Sequence, residues 1–169
     1  DGEKAGQSEA GFQRALEIIA LCNNAHLLKG EEKWSVIGDP TEGALLSVVG
    51  KAKLNPKIML EKLPRVGEKI FDPKKKMMTT VHETPEGKVA FIKGAPEVLL
   101  SLSGRAMFDG KQTELSADIR KSVESINLEF ATRAYRVLAI GYKKLEEGDG
   151  IDDGVELERG MTFVGILGI

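Results

Sequence analysis

The chain has 169 residues, 24 Lys and Arg against 26 Asp and Glu, a formal charge of -2, and 41% hydrophobic residues. That is enough apolar material for one globular core, and the even charge balance excludes the strong basic excess of a dedicated nucleic-acid binder. A single cysteine, Cys22, rules out an internal disulfide or a Cys-rich zinc site, and only two histidines, His26 and His82, leave little for a histidine cage.

No apolar run comes near the ~18 residues that span a membrane, and Asp1 to Glu9 is polar, without a signal-peptide core. From Ala10 to Leu28 the apolar spacing predicts a largely buried helix, with Phe12, Ala15, Leu16, Ile19 and Cys22 on one face. Gly30 to Lys33 breaks it, and Trp34 to Ile37 reads as a short strand. Asp39-Pro40-Thr41-Glu42 is a helix start, with Asp39 as N-cap, Pro40 at the first helical position and Glu42 at the capping-box position. That helix runs on to Lys53, and Asn55-Pro56 opens a second, short one to about Lys62.

After Leu63-Pro64 the period becomes alternating. Lys76 to Glu83 and Lys88 to Lys93 read as strands joined by the turn Thr84-Pro85-Glu86-Gly87. Ala95-Pro96-Glu97 starts a short helix that ends near Ser103-Gly104. Arg105 to Phe108 and Lys111 to Glu114 flank Asp109-Gly110, a strong hairpin signal. Ser116 caps a helix to about Arg133, with Ile119, Val123, Ile126 and Phe130 on one side. Arg136 to Lys143 and Met161 to Ile169 are strands, and the acidic, Gly-rich stretch Glu146 to Glu158 reads as a solvated loop. Hairpins interspersed with helices imply an α+β fold, an antiparallel sheet with helices packed on it. One domain over 1–169 is expected, with 1–9 and 144–159 flexible.

Several chemistries are missing from this sequence. There is no G-x-x-x-x-G-K-[ST], H-E-x-x-H, C-x-x-C or G-x-S-x-G. Gly148-Asp149-Gly150 and Gly154 are wrongly spaced for a dinucleotide fingerprint, and the pair Asp152-Asp153 sits in polar company. No self-contained hydrolase or metalloenzyme is indicated, and neither catalytic nor metal-binding residues are assigned.

Four segments carry residues that would suit a nucleotide: Gly38 to Leu45, Ile70 to Met78, Ile92 to Glu97 and Tyr135 to Ala139. Each also has a plain structural reading. Glu42 fits a capping box, Phe71 a core aromatic, Lys74 to Lys76 a solvated turn, Lys93-Gly94 a strand end, and Arg136 a partner for any surface carboxylate. Taken together they acquire another sense. Phe71 can stack on a purine, Glu42 can accept a hydrogen bond from the exocyclic amine of adenine, and Gly94 permits close approach to the backbone. Lys93 and Arg136 supply charge for phosphates. Between Arg65 and Lys93 there are seven basic residues against four acidic ones, a local excess inside a slightly acidic chain.

These segments, in this order, resemble the nucleotide-binding domain of P-type cation-transporting ATPases. The specific element is K-G-A-P-E at Lys93 to Glu97, supported by Asp39 to Glu42, Phe71 to Met78 and Arg136 to Ala139. Leu21 to Ala25 and Phe163 to Gly168 are similar to the stretches that bracket that domain, so the resemblance covers roughly Ala10 to Ile169. It is closest to the calcium-pump and sodium-pump (type II) branch.

The resemblance implies a twisted antiparallel sheet between helical bundles. It implies ATP as ligand, with Phe71 stacked on adenine, Glu42 at its amine, Lys93 and Gly94 lining the deep pocket and Arg136 at the phosphates. Lys76, Met78 and Leu138 would complete the walls. Pro73 stands where many calcium-pump relatives have an arginine on the phosphate, which leaves Lys74 or Lys76 for that contact.

No D-K-T-G-T occurs, nor the Mg²⁺-binding and hinge motifs of the phosphorylation domain, so this stretch is expected to hold ATP or ADP without splitting ATP. Mg²⁺ would be held mainly by the phosphorylation domain. The partners implied are the phosphorylation and actuator domains of a parent membrane protein, on its cytoplasmic side. No nucleic-acid or direct membrane contact is expected, and the fragment is expected to be a monomer. The competing expectations are a non-catalytic protein-interaction module with a basic hairpin, and a free-standing ATPase or kinase.

Overall fold

A computed structural model describes residues 9–30, 33–108, 110–146, 149 and 157–169. The expectations placed on 1–8, Asp109, Gly148, Gly150 and Asp152 to Gly154 lie outside them. The elements in chain order are α1 (Glu9–Leu21), β1 (His26–Lys29), β2 (Trp34–Ile37), α2 (Pro40–Lys51), α3 (Pro56–Lys62), β3 (Arg65–Asp72), β4 (Met77–Thr84) and β5 (Gly87–Gly94). They continue with α4 (Pro96–Leu102), β6 (Ser103–Phe108), β7 (Lys111–Glu114), α5 (Ala117–Thr132), β8 (Val137–Lys144) and β9 (Met161–Gly168).

The main sheet has seven strands in the order β3-β4-β5-β8-β9-β6-β7, antiparallel except where β6 runs parallel to β9. The α+β expectation holds. Strand alternation sends successive side chains to opposite faces, and each face has its own core. Met78, Phe91 and Ile140 face α1 and α2, together with Leu16, Ile19, Leu45 and Val49. Met77, Ile92 and Ala139 face α4 and α5, together with Leu99, Leu100 and Met161. Helices thus cover both faces, and the end of β5 meets the start of β8 at one rim.

Two sequence expectations are corrected. The first helix ends at Leu21, seven residues earlier than its apolar spacing suggests. Side chains take over its terminal hydrogen bonds: Asn23 Nδ2 donates to Ile19 O at 3.0 Å, and Arg65 Nη2 donates to the carbonyls of Leu21 and Asn23 at 2.7 Å each. Leu27 and Leu28 instead belong to β1, which pairs antiparallel with β2 as a separate two-stranded ribbon. The described end of the acidic stretch is not solvated either. Leu157 and Glu158 are buried, and Glu158 accepts a hydrogen bond from Thr79 Oγ1 at 3.0 Å and pairs with Lys69.

The helix starts follow their local chemistry. Asp39 accepts from Thr41 N and Glu42 N at 2.8 and 3.1 Å, Asn55 from Lys57 N, and Ser116 from Ile119 N. The strand β3, which sequence reading did not delimit, forms the edge of the sheet and carries an irregularity near its end. Between the pairs Lys69–Thr79 and Asp72–Met77, two residues of β3 oppose the single residue Met78. This bulge holds Ile70 and Phe71.

Candidate functional site

The candidate residues gather at the rim where β5 ends and β8 begins, on the face covered by α1 and α2. The pairings Met78–Lys93 and Lys93–Ile140 put these three side chains in one row on that face. Leu138 precedes Ile140 by two along β8 and therefore shares the face, half-buried against its core. Phe71 lies near the end of β3, in the bulge opposite Met78, two strands away from β5. Arg136 precedes β8, where its backbone exchanges two 2.9 Å hydrogen bonds with Ile169.

The centre of the site is an ion pair between Lys93 and Glu42. Their side chains are 8% and 15% exposed, so each charge depends on the other for compensation. Glu42 lies in the first turn of α2, at the capping-box position. Its carboxylate does not return to its own helix start. Oε1 takes Lys93 Nζ, and Oε2 accepts the backbone N–H of Asn24 at 3.0 Å. The capping-box expectation is thus corrected, because Lys93 Nζ and Asn24 N take the oxygens that would otherwise accept the backbone N–H of Asp39. A carboxylate has about four acceptor positions, so this one retains capacity for a further donor.

Around that pair the field is shaped by α2 and Arg136. Desolvation works against the Asp39 carboxylate. The hydrogen bonds it accepts from Glu42 and Thr41, together with the nearby Arg136 guanidinium, outweigh this and hold it below the ordinary 3.8. Arg136 itself is exposed, so its guanidinium sits at the helix start with the solvent beside it. On the other side of the pair, burial raises the Cys22 thiol against the pull of Lys93, and the thiol donates to Met78 O at 3.6 Å. That cysteine behaves as a small apolar filler rather than a nucleophile.

The remaining candidates separate by role. Phe71 is 52% exposed, which overturns the core-aromatic reading and leaves a ring available for contact. It also borders a cleft of about 410 Å³ on the Met77 face, with Lys69, Asp72, Thr79 and Glu158. Met78 is buried in the core and can form only a floor.

Gly94 is needed on the other face: an added Cβ would lie 2.5 Å from Lys76 O and 2.7 Å from Met77 Cβ. Its lack of a side chain is therefore accounted for by protein packing. Lys74, Lys75 and Lys76 form an exposed turn that the Asp72 carboxylate organises by accepting from Lys74 N at 2.8 Å. Lys76 adopts a left-handed backbone (φ 53°), and its Nζ pairs with Glu97 Oε1 at 3.1 Å rather than with another candidate.

Asn24 was not singled out from sequence. Its contribution is a backbone N–H, which no residue type announces. Among the described residues there is no group of three or more His, Cys, Asp or Glu that could hold a metal ion. No helix among them is long and apolar enough to cross a membrane.

Residues 11–169 match the family described as P-type ATPase, cytoplasmic domain N. A calcium-transporting ATPase of Bacillus subtilis is 32% identical over 159 residues, covering 94% of this chain and 18% of the relative. A calcium-transporting ATPase of Listeria monocytogenes is 33% identical over 157 residues, covering 92% and 17%. A probable cation-transporting ATPase F of Mycobacterium tuberculosis is 36% identical over 136 residues, covering 79% and 15%. The chain spans less than a fifth of the length of these curated relatives.

Proposed function

Because the chain belongs to the P-type ATPase cytoplasmic N-domain family, we propose that it is the adenine-nucleotide-binding part of a cation pump of the calcium-pump and sodium-pump branch. ATP lies across the rim with adenine on Phe71 and its exocyclic amine on the free acceptor capacity of Glu42. Lys93 fixes that carboxylate and adds positive charge under the nucleotide, and Leu138 closes one wall. Arg136 reaches the phosphates, beside the exposed lysines of the β3–β4 turn, of which Lys74 and Lys76 take the contact that Pro73 cannot make.

In the parent protein the γ-phosphate is presented to an aspartate of a separate phosphorylation domain. A carboxylate oxygen attacks the γ-phosphorus and ADP leaves. This chain's part is binding and orientation, and its 169 residues form one unit for that purpose.

The observation that carries the reading is the Lys93–Glu42 pair, nearly buried and with unused acceptor capacity, near the same rim of the sheet as the half-exposed ring of Phe71. The test is titration of the chain with ATP, ADP, AMP and GTP while backbone amide resonances are followed. Shifts at Asn24, Glu42, Phe71 and Lys93 with ATP, and weaker ones with GTP, are expected. Shifts confined to Thr79 and Glu158 would place the ligand in the cleft of the opposite face, and none at millimolar ATP would end the proposal.

A further inference from the structure

We propose that Arg65 and Asn24 are positioning residues for the base-recognising carboxylate, so that adenine-over-guanine preference depends on a guanidinium that touches no nucleotide. The inference rests on the adenine-nucleotide reading of Glu42. It starts from a connection across the fold. Asn24 gives its backbone N–H to Glu42 Oε2 at 3.0 Å, and its side chain is held on both sides: Oδ1 accepts from Arg65 Nη1 at 2.6 Å, and Nδ2 donates to Glu68 Oε1 at 2.5 Å. Arg65 Nη1 also donates to Glu68 Oε2 at 3.2 Å, while Nη2 takes the carbonyls of Leu21 and Asn23. A further bond, Asn23 Nδ2 to Glu42 O at 3.1 Å, ties the same loop to the backbone of α2.

The physical consequence is a fixed carboxylate. Glu42 has three rotatable side-chain bonds, and Lys93 alone is a point charge that tolerates several orientations. A second donor at a set position, Asn24 N, selects one orientation of the carboxylate plane. That leaves its remaining acceptor capacity aimed one way, where an amine is favoured and a carbonyl oxygen such as that of guanine is repelled.

Residues 22–25 are not helical and contain no strand, so the loop's position depends on what holds it. Arg65, at the start of the edge strand, joins that loop to the sheet with a planar fork that a lysine cannot reproduce. The arrangement carries a cost: Arg65 Nε is, among the described residues, the one buried side-chain nitrogen or oxygen without a partner.

The test compares the chain with its Arg65→Met and Asn24→Ala variants, each titrated with ATP and with GTP, with the melting temperature recorded on the same samples. Asn24→Ala keeps the backbone N–H and alters an exposed side chain, so it is expected to melt close to the unaltered chain. The ATP-over-GTP preference is expected to fall about fivefold in Arg65→Met, the scale of one hydrogen bond, and less in Asn24→Ala. In a Glu42→Gln background neither substitution should lower the preference further.

Without nucleotide, the Asn24 amide resonance should move in Arg65→Met. A preference unchanged in both variants, or lost equally with and without Glu42→Gln, overturns the proposal and leaves Arg65 a structural residue only. If the unaltered chain binds neither nucleotide, the nucleotide reading fails, and the Asn24 amide then decides the tie to Glu42 by itself: unmoved in Arg65→Met, it is refuted.

Discussion

Replacing Lys93 by methionine keeps most of the side chain's volume and removes its charge. With side chains 8% and 15% exposed, Lys93 and Glu42 shield each other from the cost of burial. Breaking a buried pair from one side costs ~3–5 kcal/mol because the other charge is left uncompensated. Here Glu42 keeps one hydrogen bond, from Asn24 N, which brings the expectation down to about 2–4 kcal/mol. For a domain of this size that is a fall of roughly 4–16 °C in melting temperature.

The decisive arm is the double variant Lys93→Met with Glu42→Gln. It removes the stranded charge and should recover at least half of the lost stability, because a neutral pair of similar volume pays no ionic desolvation. Urea unfolding followed by far-ultraviolet circular dichroism measures both, and a reference variant carrying Glu42→Gln alone closes the cycle. A loss below about 1 kcal/mol for Lys93→Met, or a double variant no more stable than Lys93→Met alone, would refute the reasoning. The pair would then be a solvated contact rather than a mutually dependent one.

Three further outcomes are expected. Phe71→Ala should weaken ATP binding by the ~1–3 kcal/mol of one base–aromatic stack, about 5- to 150-fold, with little change in melting temperature because the ring is half exposed; unchanged affinity in a calorimetric titration would move the adenine elsewhere. Gly94→Ala should cost about 1–3 kcal/mol through overpacking against Lys76 O and Met77 Cβ, measured by urea midpoint, and a neutral result would show that the β4–β5 rim relaxes freely. His82 is held below its ordinary 6.5 chiefly by burial and also by Arg65, against the opposing hydrogen bond to Leu63 O. Its unfolded form therefore binds the proton more readily. Its contribution is fully present above pH 6.5 and is lost as pH falls below it, ahead of the carboxylates Asp39 and Glu97, whose lowered values act only in more acid solution. Urea midpoints flat between pH 7 and 5.5 would contradict this.

Much of the architecture was legible because it is written in short-range chemistry. Asp39-Pro40, Asn55-Pro56 and Ser116 each start a helix by accepting the N–H groups that the first turn leaves unpaired. Thr84 to Gly87 turns a hairpin that the alternation on either side already implied. The end of α1 was not legible, because Ala10 to Leu28 keeps a helical apolar spacing and the competing carbonyl partners come from Arg65, far along the chain. Glu158 misled for the same kind of reason: acidic, Gly-rich company suggests solvent, and its burial depends on Thr79 and Lys69 from two other strands.

For the site, the residue types in their four segments were readable in order, and so was their likeness to a family. What those residues touch was not. Glu42 looks the same in sequence whether it caps its own helix or neutralises Lys93, since a carboxylate three positions after an N-cap suits both. Gly94 likewise could admit a ligand or a neighbouring carbonyl. Sequence by itself determined most of the elements and the set of candidate side chains, because caps, turns and alternation act within a few residues. Tertiary structure alone decided that Glu42 turns to Lys93 and Asn24, that Phe71 is left exposed on a bulge, and that Arg65 anchors the loop between them. The first and the last depend on groups 18 to 51 positions apart, a separation at which only the packed sheet brings donors and acceptors together.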